Sequence, residues 1–227
     1  MSDRVAVLTG VTGGWGRAVL DRFAEQSWTV VATHRGDAPG DLPADVLAVE
    51  ADLTDPASAD AVVAAALDRF GRVDALANVA GGFAMAGLID EAPLDVWRSQ
   101  LAVNLETAYN MTRAALRPMR AAGRGAIVYI GTSATDRPFP GAAGYIVSKT
   151  ALAGLMRAVD AEVRAEGVRA NTVVVKIVDT PRNRADNPDA DFSRWTTGAE
   201  LAGVIEWLCG DDSAPLSGGM IPAYGRA

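Results

Sequence analysis

Tyr145 and Lys149 stand four residues apart in the run Gly144–Lys149, GYIVSK. On a helix that spacing puts both side chains on one face. A free tyrosine loses its proton at about pH 10. A neighbouring ammonium favours the phenolate and lowers that value, so the pair could donate and accept a proton near neutrality. Thirteen and twelve residues before the tyrosine come two hydroxyls, Thr132 and Ser133, just past the apolar run Ala126–Ile130.

A second constellation lies at the other end of the chain, in Arg4–Gly16, RVAVLTGVTGGWG. The apolar run Val5–Leu8 breaks into Gly10, Gly13, Gly14 and Gly16, and a helix-like run, Arg17–Gln26, follows. A buried strand feeding a glycine-rich turn and then a helix is a phosphate cradle. Glycine lets the backbone approach a pyrophosphate, and the free amides of the helix start face the anion.

The composition excludes other chemistries. The chain has one histidine, His34, and one cysteine, Cys209. That is too few ligands for a Cys/His zinc site, and a hydrolase triad would need His34 itself as base. Cys209 cannot form an internal disulfide and reads as a small hydrophobe at a helix end. A net charge of −7 argues against nucleic-acid binding through a basic field. No uncharged apolar stretch of about 18 residues exists, so no membrane span is expected. The start, MSDRVAV, lacks an export pattern, which makes the cytoplasm the expected compartment.

These residues must be held by alternating elements. Apolar runs at Val5–Leu8, Thr29–Thr33, Val46–Ala51, Ala75–Ala77, Ala126–Ile130 and Ala170–Val175 read as strands, with a weak one at Met220–Ile221. Helix patterns fall between them at Pro56–Phe70, Leu94–Asn104, Glu106–Ala122, Gly144–Glu166 and Thr197–Leu208. Asp55 suits the cap and Pro56 the first turn of the helix that starts there. Continuous apolar strands separated by helices predict one doubly wound α/β domain over residues 1–227, a parallel sheet covered on both faces. Its ligands would sit at the carboxyl ends of the strands. Lys176–Thr196, rich in Asp, Asn, Pro and Arg, reads as a long functional loop.

Taken in order, TGVTGGWG at Thr9–Gly16, ADL at Ala51–Leu53, NVAG at Asn78–Gly81, VNL at Val103–Leu105 and YIVSK at Tyr145–Lys149 resemble a short-chain dehydrogenase/reductase over essentially the whole chain. The resemblance implies a Rossmann-type fold and roles position by position. Gly10, Thr12, Gly13, Gly14, Trp15 and Gly16 would surround the cofactor pyrophosphate, Trp15 chiefly by packing. Asp52 and Leu53 would hold the adenine, and Asn78, Ala80 and Gly81 would border the cofactor at the fourth strand. Asn104 would help hold a relay water. Tyr145 would be the general acid of a reduction, and Lys149 would lower its pKa and bind the nicotinamide ribose. Thr132 or Ser133 would polarise a substrate carbonyl. Val178 and Thr180 would meet the nicotinamide.

In this family an acid after the second strand binds the ribose of NAD. Here Thr33-His34-Arg35-Gly36 stands at that place, and Arg35 can pair with a 2′-phosphate. NADP (as NADPH), rather than NAD, is therefore the expected cofactor, with a small carbonyl or imine-like substrate. Departures from the family pattern are Val79, Val175-Lys176 and the ending IPAYG. The stretch Asp179–Trp195 resembles the corresponding loop of dihydropteridine reductases, which makes quinonoid pterin reduction the second reading. A dinucleotide-binding regulator without catalysis is the third. The family resemblance also implies a homodimer or homotetramer, formed through helices Glu106–Ala122 and Gly144–Glu166.

Overall fold

The structure, a computed structural model, describes residues 4–38, 40 and 42–226. Residues 1–3 and 227, which the single-domain expectation included and where the N-terminal export reading begins, lie outside the described residues.

Seven strands form one parallel sheet: β1 (Val5–Leu8), β2 (Thr29–His34), β3 (Leu47–Glu50), β4 (Ala75–Asn78), β5 (Gly125–Thr132), β6 (Val168–Val175) and β9 (Met220–Ala223). Their order is β3-β2-β1-β4-β5-β6-β9. The chain winds outward from β1 through β2 to β3, then returns to the other side of β1 and continues from β4. The winding reverses between β1 and β4, and a crevice opens there beyond their carboxyl ends. β7 (Val178–Asp179) and β8 (Thr196–Thr197) make a separate short parallel pair.

Alternation along the strands sorts the core into two layers. Val5, Val7, Leu76, Ile127 and Tyr129 face α2 (Pro56–Phe70), α4 (Thr107–Ala122) and α5 (Ala143–Val163). Ala6, Leu8, Val128, Ile130, Val173 and Val175 face α1 (Gly16–Glu25) and α7 (Gly198–Cys209). This is the doubly wound arrangement expected from the apolar runs. Asp55 caps α2 by accepting from the Ala57 and Ser58 amides, with Pro56 in the first turn. Cys209 is buried at the end of α7, and burial pushes its thiol up to about 12.

Two expectations need correction. The patterns Leu94–Asn104 and Glu106–Ala122 belong to one continuous run, α3 (Leu94–Leu101) passing into α4 through a π-turn at Ala102–Glu106. A π-turn inserts one residue, which shifts the apolar phase and makes one helix read as two. Lys176–Thr196 is not a plain loop. The β7–β8 pair closes its base, and α6 (Pro181–Asp186) sits within it, capped by Thr180. Elements this short leave no periodicity to read in a polar stretch.

Candidate active site

The glycine turn joins β1 to α1 at the crevice. Thr9 ties it to the neighbouring strand: its hydroxyl accepts from the amides of Val79 and Ala80, both at 3.0 Å. Gly10 then turns with a φ of 71°, and a Cβ there would lie 2.7 Å from the Ala80 backbone. At Gly16 a Cβ would lie 2.0 Å from the Gly10 carbonyl oxygen. The neighbours are backbone atoms and cannot step aside. Gly10→Ala is thus expected to lower stability by about 2 kcal/mol or more through strain and clash, and to weaken dinucleotide binding with it. Urea melts and a cofactor titration of that variant would check this; wild-type values in both would refute it.

Around the turn, Thr12 and Gly13 are exposed, and a Cβ on Gly14 would touch the Thr180 methyl at 3.4 Å. Trp15 is turned aside to pack, its Cβ 2.9 Å from where a Gly198 Cβ would sit. Only its backbone belongs to the turn. Val178 is buried in β7 behind Thr180.

At the end of β2 the His34 ring is buried, with Nδ1 2.7 Å from the Gly36 carbonyl oxygen, while Arg35 is exposed. Asp52 takes the Thr54 hydroxyl and amide on one oxygen, at 2.7 and 3.0 Å. Those two bonds hold its carboxyl below the usual range, and the nearby Arg35 charge adds to the effect. Leu53 is buried below it. Sequence reasoning missed Asn110. Its buried amide donates to the Leu53 and Thr54 carbonyls at 3.0 and 3.2 Å and fixes this turn from α4. An Asn on the apolar stripe of a helix was the available signal, because a buried amide needs a partner.

The other side of the crevice carries the tyrosine. Thr132 ends β5, 3 % exposed, and its oxygen accepts from the Ala134 amide at 3.2 Å. The same hydroxyl lies by the Tyr145 phenol and acts to lower its pKa. Ser133 lies in the following 3-10 turn and is only partly buried. Of the two candidate hydroxyls, Thr132 is therefore the one at the phenol. Phe83 stands edge-on to the Tyr145 ring, centroids 5.0 Å apart.

Lys149 is 6 % exposed, and its Nζ donates to the Ile130 carbonyl at 2.8 Å. Asn104, in the π-turn, grips the loop after β4 from both sides. Its Oδ1 accepts from the Gly82 amide and its Nδ2 donates to the Gly82 carbonyl, each at 3.0 Å. A Cβ on Gly81 would fall 3.0 Å from Asn104 Oδ1 and 3.3 Å from Lys149 Nζ. Gly81 is thus where the tyrosine helix and the π-turn converge on the strand-four loop.

The expected electrostatics differ in one respect. Burial pushes the Tyr145 phenol up, and the Thr132 hydrogen bond is what pulls it back down. Lys149 does not lower it: its ammonium is drawn to the Ile130 carbonyl instead. Its own burial lowers it to about 8. The four-residue spacing put the two groups on one face but could not say where the amine points.

The residues fit a dinucleotide. Three glycines stand where a Cβ would meet backbone or the Asn104 and Lys149 heads, and the turn opens into the first turn of α1. Asn78, at the end of β4, is buried with an Nδ2 that has no partner among the described residues. No group of three or more His, Cys, Asp or Glu among the described residues could hold a metal ion. No helix of the described residues is long and apolar enough to cross a membrane.

Comparison with known proteins agrees with this geometry. The family model for short chain dehydrogenase matches residues 4–191. The chain belongs to the short-chain dehydrogenase/reductase family. It is 30 % identical to the 2-(R)-hydroxypropyl-CoM dehydrogenase of Xanthobacter autotrophicus, over 96 % of each chain. It is 26 % identical to a 3-oxoacyl-acyl-carrier-protein reductase of Vibrio cholerae, over 99 % of this chain and 97 % of that one. A solved Burkholderia xenovorans structure of the short-chain dehydrogenase/reductase class superposes with a TM-score of 0.87 at 29 % identity, covering 99 % of this chain and 96 % of that one.

Proposed function

We propose that the chain is an NADPH-dependent reductase of a small carbonyl or imine-like compound, with Tyr145 as general acid. The observation that carries this is the contact of the Thr132 hydroxyl with the Tyr145 phenol, beside the Lys149 and Asn104 heads at Gly81. When bound, the reduced nicotinamide supplies a hydride. Gly10, Gly13, Gly14 and Gly16 would hold its pyrophosphate, Asp52 and Leu53 would border the adenine, and Thr180 would meet the carboxamide.

Thr132 accepts from the Ala134 amide, and its hydrogen, turned towards the phenol here, would swing to a substrate oxygen. That bond polarises the carbonyl and fixes its distance from the phenol. Tyr145 then passes its proton to the same oxygen as negative charge develops there. A phenol raised by burial suits the acid role in reduction, because it stays protonated until that charge appears. The Lys149 ammonium, held at the Ile130 carbonyl, would bind the nicotinamide ribose. The Asn104 amide is committed to Gly82, so any water relay it serves runs through its backbone.

Phe83, Met85 and Phe139 border the mouth, with the two phenyl rings 6.4 Å apart, which favours an apolar substrate. A homodimer or homotetramer is part of this reading. The exposed Tyr109 on α4 and Val147 on α5 suit the faces that would pair. The reaction belongs to a cytoplasmic small-molecule enzyme with no nucleic-acid partner.

The test is a screen against ketones, quinones and quinonoid dihydropterin, following loss of NADPH absorbance. Turnover of the pterin alone would favour the second reading. Arg35 decides the cofactor. Its exposed guanidinium lies near enough to Asp52 to act on its charge, and it offers a fork for a 2′-phosphate. The Michaelis constant for NADPH should rise about tenfold or more in Arg35→Ala, the size of one charge-assisted hydrogen bond, with that for NADH unchanged. A wild-type preference for NADH would end the NADP assignment.

A further inference from the structure

A second cavity lies behind the wall of the mouth. Its volume is about 270 Å³, and Ala84, Ala86, Leu94, Trp97, Gln100 and Gly144 are among its lining residues. The wall is the extended segment 83–87, held to the α5 side by the Ala86 amide donating to the Gly141 carbonyl at 2.8 Å. Side chains alternate across such a segment. Phe83 faces Tyr145, and Met85 lies against Gly141, whose Cβ would meet its methyl at 2.8 Å. Ala84 and Ala86 face the other way, into the cavity. The two spaces are therefore back to back rather than continuous.

The lining is apolar except for Gln100 and the indole N–H of Trp97. Gln100 is 5 % exposed, and its Oε1 accepts from Asn104 Nδ2 at 3.4 Å. The Asn104 amide is oriented by its two bonds to Gly82, so the group it offers Gln100 is an N–H, and the group it meets is the Gln100 oxygen. That leaves the Gln100 Nε2 as the donor end. It makes no hydrogen bond to any described residue, and its side chain borders the cavity. The Nε2 atom is not sealed from solvent, so it stands as an amide donor open to whatever occupies that space.

We propose that this cavity binds a small, uncharged, mostly apolar molecule with a single hydrogen-bond acceptor, whose oxygen takes the Gln100 Nε2 proton. No cation lines the space, so an anion has no partner there. A ligand rich in donors would leave them unmet against alanine and leucine. The site is distinct from the catalytic mouth and shares with it only the Gln100–Asn104 link.

N,N-dimethylhexanamide is a suitable probe, with one acceptor oxygen, no donor and no ketone to reduce. Titration calorimetry on the full chain without cofactor should give saturable binding of one probe per chain. Gln100→Leu should weaken it about tenfold, the size of one neutral hydrogen bond. Ala84→Leu and Ala86→Leu, two separate ways of filling the space, should each abolish it. Tyr145→Phe should bind as tightly as the wild type. Absence of saturable binding, or binding that both leucine fillings leave intact, would overturn the proposal. So would loss of binding in Tyr145→Phe, which would place the probe in the mouth. Binding seen only on dilution of an oligomer would also overturn it, by making a second copy the occupant. The readout needs no turnover, so failure of the reductase reading would leave this result standing.

Discussion

Tyr145→Phe is expected to cut turnover by about two to four orders of magnitude, the usual worth of a positioned general acid, while cofactor affinity changes by less than about twofold. The variant is a clean one. The ring stays, and with it the edge-on packing against Phe83. Only the hydroxyl and its place beside Thr132 go. The glycine turn is tied to β4 through Thr9, remote from that hydroxyl, so the dinucleotide cradle should not notice the change. Two measurements separate the outcomes: steady-state turnover with the best substrate of the screen, and quenching of protein fluorescence by NADPH. Unchanged turnover would remove the tyrosine from the chemistry. Loss of both would point to a structural role instead. Intact cofactor binding by a wild type that turns over none of the screened compounds would favour the regulator.

The sheet was legible because each strand is apolar throughout and each crossover helix is long enough to show its period. Within two residues, the expected runs match the β1, β2, β4 and β9 positions. Handedness predicted a doubly wound sheet, while the order β3-β2-β1-β4-β5-β6-β9 came from the structure. The candidate site was readable where chemistry demands a residue type: glycine at Gly10 and Gly16, where no Cβ fits, and Tyr145 with Lys149 on one helical face. What the chain did not reveal is which way polar side chains turn once buried. Thr132 and Ser133 are equivalent in sequence, and only the end of β5 decides which hydroxyl meets the phenol. Asn110 and Gln100 look like ordinary helical amides until the backbone that needs them is in place. The π-turn at Ala102–Glu106 was hidden because one inserted residue mimics a helix break.

Lys149→Met is expected to make the protein more stable and far less active, and the gain should depend on pH in a stated direction. The Lys149 ammonium is buried with one carbonyl for company, and burial lowers its pKa from 10.5 to about 8. Between those two values the unfolded chain holds a proton that the folded chain has already released. Stability of the wild type therefore rises with pH from about 8 towards 10.5, and below about 8 the fold carries the whole penalty. That penalty is on the order of 3 kcal/mol. Losing the bond to the Ile130 carbonyl returns about 1 kcal/mol. Methionine has a similar length and no charge to desolvate, so the net gain at pH 7 should be about 2 kcal/mol. The difference between variant and wild type should shrink as pH approaches 10. Paired urea melts at pH 7 and pH 10 measure it. No gain at pH 7, or the same gain at both, would show that the amine is not a strained guest of the fold. Reductase activity should fall at least a hundredfold, because the site loses the ammonium proposed to hold the nicotinamide ribose. A residue that weakens the fold where it is buried is kept for what it does there. A stabilised, inactive Lys149→Met would separate those two consequences in one molecule.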